Sequence, residues 1–165
     1  MDDDRLSAIE TRLAALERAA PVRVPRPAAE EDPFWALEGL RERAPDRPAI
    51  LFAGIVDLPS GRHAEWQQGH PADELVEQDW ETVAPALAAL GHPVRLRLLG
   101  RIVRGEGATA AELVELEQSG TTGQAYHHLR QLVAEGWLRR DARGRHDVPP
   151  ERLVPLLVVL AACRR

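Results

Sequence analysis

The chain has 165 residues, 44% hydrophobic and 28% charged, which fits one ordinary domain with an appendage and excludes a disordered chain. Its net charge of −5 is unevenly divided: residues 1–89 carry 9 arginines against 18 acids, and residues 90–165 carry 12 against 8. A single cysteine, Cys163, excludes an intrachain disulfide or a multi-cysteine metal site and suits a reducing interior.

Every basic side chain is an arginine, so each cation is a planar guanidinium suited to bidentate contacts. The basic half is where phosphate contacts are expected. Met1-Asp2-Asp3-Asp4 is acidic where a secretory signal would be basic and then apolar. The longest apolar run, Leu153 to Cys163, contains Pro155 and is too short to span a bilayer. A cytoplasmic protein without a membrane partner is expected.

In chain order, Leu6, Ile9, Leu13, Leu16 and Ala20 follow the a/d spacing of a coiled coil, with Glu10, Arg12 and Glu17 at flanking e and g positions. Residues 1–20 therefore read as an amphipathic, coiled-coil-like helix able to add to an assembly held together elsewhere. Pro21, Pro25, Pro27 and Pro33 make residues 21–32 a stiff linker. Residues 33–71 read as a short helix followed by a hairpin. Asp32 caps the helix with Pro33 at its first position, and Phe34, Leu37 and Leu40 form its apolar side. The hairpin runs from Ala49 to Asp57, turns at Leu-Pro-Ser-Gly and returns from Arg62 to Gln67. Trp35, Trp66 and Trp80 are expected in a core.

From Ala72 the pattern is helical. A helix from about Asp73 to Leu90 needs a break or bend at Pro85. His92 and Pro93 open the next helix, with Leu96, Leu99 and Val103 inward and Gly105 and Gly107 at its end. Thr109 and Glu112 form a capping box for a third helix, whose apolar side is Leu113 and Leu116. Thr121 and Gln124 form a second box, opening a helix from about Thr122 to Glu135. Residues 137–148 read as two short strands around Arg143-Gly144. Pro150 starts a last helix to about Cys163, apolar nearly all round and therefore buried, with Cys163 expected to be an inert buried thiol.

The helix from Thr122 carries the chemistry. At about 100° per residue, Ala125, Leu129, Leu132 and Val133 share one face, while Gly123, His127 and Arg130 lie opposite and Thr122, Gln124 and Tyr126 stand near the leading end. Arg130 suits guanine or phosphate, Gln124 suits adenine, and Thr122 suits either a base or a phosphate. Gly123 lets the backbone approach a duplex, and a helix N-terminus attracts phosphate. His127 is placed for DNA contact, whereas His128 sits at the edge of the apolar stripe and is expected to pack. Arg139, Arg140, Arg143 and Arg145 surround the hairpin turn, where arginines reach phosphates or a narrow minor groove.

The segment resembles the winged helix-turn-helix of ArsR-type (arsenic-repressor-like) bacterial regulators. The resemblance rests on Leu90 with His92-Pro93-Val94-Arg95-Leu96-Arg97-Leu98-Leu99, then Ala111-Glu112-Leu113. It continues through Tyr126-His127-His128-Leu129-Arg130-Gln131-Leu132 and Ala134-Glu135-Gly136-Trp137-Leu138, within residues 80–163. It implies a mainly α, α+β fold in residues 72–165 and a homodimer joined by the first and last helices. It further implies residues 122–134 in the major groove of double-stranded DNA, and repression relieved by a signal. His92 and Val94 stand where the family often has Asp and Thr. The cysteine pair that many members use for metals is absent from the helix before the reading helix, and residues 151–165 hold neither Asp nor His, so no metal or other cofactor is expected. The effector or protein partner is left open. A second reading is a protein-interaction module on the same scaffold, supported by the acidic front end. No phosphate-cradling loop, nucleophile elbow or metal-spaced set appears, and His63 and His70 flank Glu65 without a third partner, so an enzyme is not expected.

Overall fold

The computed structural model describes residues 34–116 and 122–164. The coiled-coil-like segment at 1–20, the linker at 21–32, the Asp32 cap and Thr121 lie outside the described residues.

The chain divides between Pro45 and Asp46. Before that division the described chain forms one helix, α1 (Trp35–Arg43), ended where the Ala44 amide donates to Leu40. None of its residues is buried, and Trp35 is 69% exposed, against the expectation of a core residue. Among the described residues of this unit no second element packs on the helix, so its indole stays in solvent.

Beyond the division, β1 (Ala49–Asp57) and β2 (His63–Pro71) pair antiparallel in an unbroken register from Ala49–Pro71 to Asp57–His63. The return strand runs past the expected Gln67 because the ladder continues back to Ala49. Gly61 adopts φ 78°, and the turn closes with the Leu58 amide on the Arg62 carbonyl (2.8 Å) and the Gly61 amide on Leu58 (2.9 Å). Burial alternates along β2, as a sheet with one packed face requires: Ala64, Trp66, Gln68 and His70 are half-buried, whereas His63, Glu65, Gln67 and Gly69 are exposed. The packed face meets the last helix, α7 (Pro150–Ala162), and Gly54 lies on that face. A Cβ there would lie 2.8 Å from Cγ1 of Val154. Glycine is what lets the strand sit on the helix.

The helical run after the hairpin comes in three pieces: α2 (Ala72–Glu77), a 3₁₀ turn (Trp80–Val83) and α3 (Ala84–Leu90). The break falls at Gln78–Asp79, earlier than the expected bend at Pro85. Asp79 starts the second piece, its carboxylate accepting the Glu81 amide at 2.9 Å, and Pro85 sits in the first turn of α3, where its missing amide costs nothing. Trp80 is 66% exposed rather than core, its indole N–H donating to the Leu75 carbonyl at 2.8 Å near the end of α2.

α4 (Pro93–Arg104) begins with the His92 ring accepting the Val94 amide and ends at Gly105, φ 76°. Leu98, Leu99 and Ile102 are its buried residues, while Leu96 is 36% exposed and Val103 half-buried. Of the expected inward residues, Leu99 is buried and Val103 packs against the core, while Leu96 is exposed; Leu98 and Ile102 complete the stripe, with Arg95 half-buried at its start. α5 (Ala110–Leu116) carries the expected capping box: Oγ1 of Thr109 accepts the Glu112 amide, and the Glu112 carboxylate accepts the amides of Ala108 (2.9 Å) and Thr109 (3.0 Å). α6 (Thr122–Ala134) follows, then β3 (Arg139–Arg140), β4 (His146–Asp147) and α7.

One core joins these pieces: Leu98, Leu99 and Ile102 of α4, Leu113 of α5, Leu129 and Leu132 of α6, Leu153 and Leu156 of α7, with Trp137 and Val148 beside them. Each fully buried leucine contributes about 2 kcal/mol. That packing, not propensity, holds α5, whose seven residues fall far short of the roughly 12–15 an isolated helix needs. Leu58 brings the hairpin turn into the same cluster. Trp137 is the buried tryptophan, its indole donating to Ala86 at 2.9 Å while Arg152 lies over the ring.

Candidate nucleic-acid interface

α6 is held by its apolar face. Ala125, Leu129 and Leu132 are buried and Val133 is half-buried against the core. Gly123, Gln124, Tyr126, His127 and Arg130 are exposed on the rest of the surface. Among the described residues, nothing beyond its chain neighbours and its own helix backbone comes within 4 Å of a Cβ built on Gly123, so their packing does not require a glycine at that outward position. Thr122 is the first residue of the helix. His128 is half-buried, its ring 4.5 Å from that of His92, which fits the packing role expected of it.

Sequence reasoning missed the residue that fixes α6 to the helix before the core. Arg95 Nε and Nη2 donate to the Ala89 (2.5 Å) and Ala88 (2.7 Å) carbonyls, which end α3, while Nη1 donates to the Gln131 side chain of α6 (2.5 Å). An arginine in the first position of an otherwise apolar stripe was the available signal, because such a guanidinium must find acceptors.

The wing is a short ladder of two pairs, Arg139–Asp147 and Arg140–His146. Its turn is organised by Asp141, whose carboxylate accepts the amides of Arg145 (2.8 Å) and Arg143 (2.9 Å), and Gly144 takes φ 77°. Those amides, Arg145's first, hold the Asp141 carboxyl below its ordinary range. The base of the wing is tied to the loop before α5, where the Ala108 carbonyl accepts both the His146 amide (2.7 Å) and its ring Nδ1 (3.2 Å). His146 is buried, and that burial lowers its pKa below 6.5.

Charge is spent unevenly over this surface. Arg139 pairs with Asp147 at 3.2 Å. Among the described residues no acidic side chain pairs with Arg130, Arg140, Arg143 or Arg145, all of them exposed. Asp141 and Glu112 are occupied by backbone amides, so they offset the guanidiniums only at a distance. A cleft of about 750 Å³ lies between the hairpin turn and the wing, lined by Ser60, Arg62, Glu106, Arg140 and Arg145 among others. His63 is satisfied by Asp57 (2.7 Å) and Glu65 (3.1 Å), whose hydrogen bonds raise its pKa. Among the described residues no group of three or more His, Cys, Asp or Glu side chains is placed to hold a metal ion, and no helix is long and apolar enough to cross a membrane.

Residues 90–139, from the end of α3 to the start of the wing, match the family model of a helix-turn-helix domain. No curated protein matches the chain. With the β3–β4 hairpin behind the matched helices, the fold is a mainly α, α+β winged helix-turn-helix, the class of domain that DNA-binding regulators carry. Cys163, expected to be buried, is exposed at the end of α7. The helix is apolar nearly all round, but its last turn runs beyond the hairpin and core that cover Leu153, Val154 and Leu156.

Proposed function

We propose that the chain is a dimeric, sequence-specific DNA-binding transcriptional regulator of the ArsR type, acting as a repressor. α6 enters the major groove, with Thr121, Thr122, Gly123, Gln124, Tyr126, His127 and Arg130 toward the duplex. Arg139, Arg140, Arg143 and Arg145 of the wing contact the backbone or the minor groove. The observation that carries this reading is the outward surface of α6, polar and bearing an arginine without an acidic partner among the described residues, opposite a buried stripe.

Dimerisation through the first and last helices of the domain is part of the proposal. Trp80, Val83 and Leu87 are exposed along residues 80–90, as is Leu160 on α7, and such apolar side chains suit a second subunit. The hairpin already occupies part of α7, so the face around Leu160 is the part left for a partner. Residues 6–20 would add a coiled-coil contact in a higher assembly.

The test is binding to fragments selected from genomic DNA by the purified chain. A pseudo-palindrome with half-sites about one helical turn apart and a steep loss of affinity with salt are expected. Arg130→Ala should cost on the order of 1–3 kcal/mol if it reads a base. Unchanged affinity in both Arg130→Ala and His127→Ala overturns the assignment of α6 as the reading helix.

A further inference from the structure

The β1–β2 hairpin lies outside the helix-turn-helix match, yet its turn reaches the wing. Arg62, the residue after Gly61, directs Nη1 to the Asp147 carboxylate and Nη2 to the Val148 carbonyl (3.2 Å). The other oxygen of Asp147 accepts from Arg139 Nη2 at 3.2 Å. One carboxylate on β4 is thus shared by a guanidinium from the hairpin and a guanidinium from the wing, 85 residues separating Arg62 from Asp147.

We propose that Arg62 is a positioning residue for DNA binding: the hairpin braces the wing through Asp147 and sets the direction of Arg139. The proposal rests on the reading of the wing as a DNA contact. The wing's own ladder has only two residue pairs; Ala108 and Thr109 tie its base through His146 and Arg145, and Arg62 adds a separate tether at Asp147. The brace is itself anchored. Leu58, at the other end of the turn, is buried in the core, and its amide is bonded to the Arg62 carbonyl. Arg62 and Asp147 are each about one-third exposed on their side chains, so the pair is partly shielded from the screening that weakens fully exposed ones. Removing Arg62 leaves Asp147 with Arg139 alone. Arg139 is then held more firmly by its own strand, and a half-compensated carboxylate faces the duplex.

Asp147→Asn separates bracing from simple charge accounting by its sign. Taking a negative charge away from a DNA-facing surface tightens binding if charge alone matters. It weakens binding if the carboxylate orients Arg139. The experiment compares full-length wild type, Arg62→Ala, Arg62→Gln, Asp147→Asn and Arg139→Ala for affinity to one selected duplex across a salt series, with thermal unfolding of each. Arg47→Ala is the control for losing one cation, since Arg47 pairs with Asp73 and Glu74 at the far end of the hairpin.

Arg62→Ala and Asp147→Asn are each expected to lose about three- to tenfold in affinity, and Arg62→Ala to lower the salt slope by about one as the Arg139 contact goes. Arg62→Gln, which keeps a donor for Val148, should fall between wild type and alanine and remains informative if Arg62→Ala unfolds. Arg47→Ala should match wild type. If Arg139→Ala weakens binding while Asp147→Asn tightens it, or while Arg62→Gln and Arg62→Ala both match Arg47→Ala, the brace is overturned and the wing contact stands. If Arg139→Ala itself binds as wild type, the wing reading is overturned and the brace with it.

Discussion

Replacing Gly54 by alanine puts a methyl group where the hairpin meets α7. Its Cβ would stand 2.8 Å from Cγ1 and 3.4 Å from Cγ2 of Val154, against an optimum of about 3.5–4.0 Å between carbons. Val154 is 1% exposed, and a valine in a helix has one strongly preferred rotamer, so it cannot swing aside. Overpacking of this kind costs about 1–3 kcal/mol. Removing a glycine from a strand returns about 0.5–1 kcal/mol. The net is a destabilisation of about 1 kcal/mol or somewhat more, a fall in Tm of about 3–6 °C. The assay is a double-mutant cycle by thermal or urea unfolding. On a Val154→Ala background the new methyl has room, so Gly54→Ala should there be neutral or stabilising, and the coupling should equal the clash, about 1–3 kcal/mol. Strict additivity of the two substitutions would refute the close seating of hairpin on helix, and with it the route that brings Arg62 to the wing.

Three further outcomes follow from contacts described above. Arg95→Met removes three hydrogen bonds from a charged donor and should lower stability by about 2 kcal/mol, seen as a fall in urea midpoint with unchanged slope; an unchanged midpoint would mean that Arg95 does not tie α3 to α6. His146 has a pKa held below 6.5 by burial, so its contribution to stability is complete above that value and is lost as pH falls through the lowered folded pKa. The depressed carboxylates Asp141, Glu112 and Asp73 lose theirs only in more acidic solution, so His146→Gln should flatten the decline of Tm between about pH 7 and 5, and an unaltered profile would contradict the burial of the ring. Cys163 should react with an alkylating reagent in the native chain, more slowly as protein concentration rises if α7 joins two subunits; a rate indifferent to concentration counts against that interface.

Much of the fold was legible because its punctuation is local. The Thr109–Glu112 box, the left-handed glycines at 61, 105 and 144 and the proline openings of α4 and α7 each act over one turn of chain, and each marks its element correctly. The stripe of α6 was legible for the same reason, since period alone separates Leu129 and Leu132 from His127 and Arg130. What escaped is what depends on a distant partner. Leu96 and Leu98 are equally apolar, so nothing local says which is buried, and Arg95 lies half-buried at the start of the stripe because acceptors wait at Ala88, Ala89 and Gln131. Trp80 and Trp137 each donate the indole N–H to a backbone carbonyl, yet only Trp137 has core neighbours from distant segments to bury its ring. Asp147 looks like an ordinary charge on a turn until the hairpin, far earlier in the chain, is folded against it.

The two-stranded sheet also has a consequence for handling the protein. β1 carries no charge from Ala49 through Val56, holds Ile55 at 73% exposed and has an outer edge with no strand beside it among the described residues. Such an edge lacks the lysines, prolines and bulges that discourage strands of separate molecules from zipping together. Crowded solutions will therefore favour self-templating at β1, and a gatekeeper lysine in place of Ile55 is the economical way to keep concentrated stocks clear.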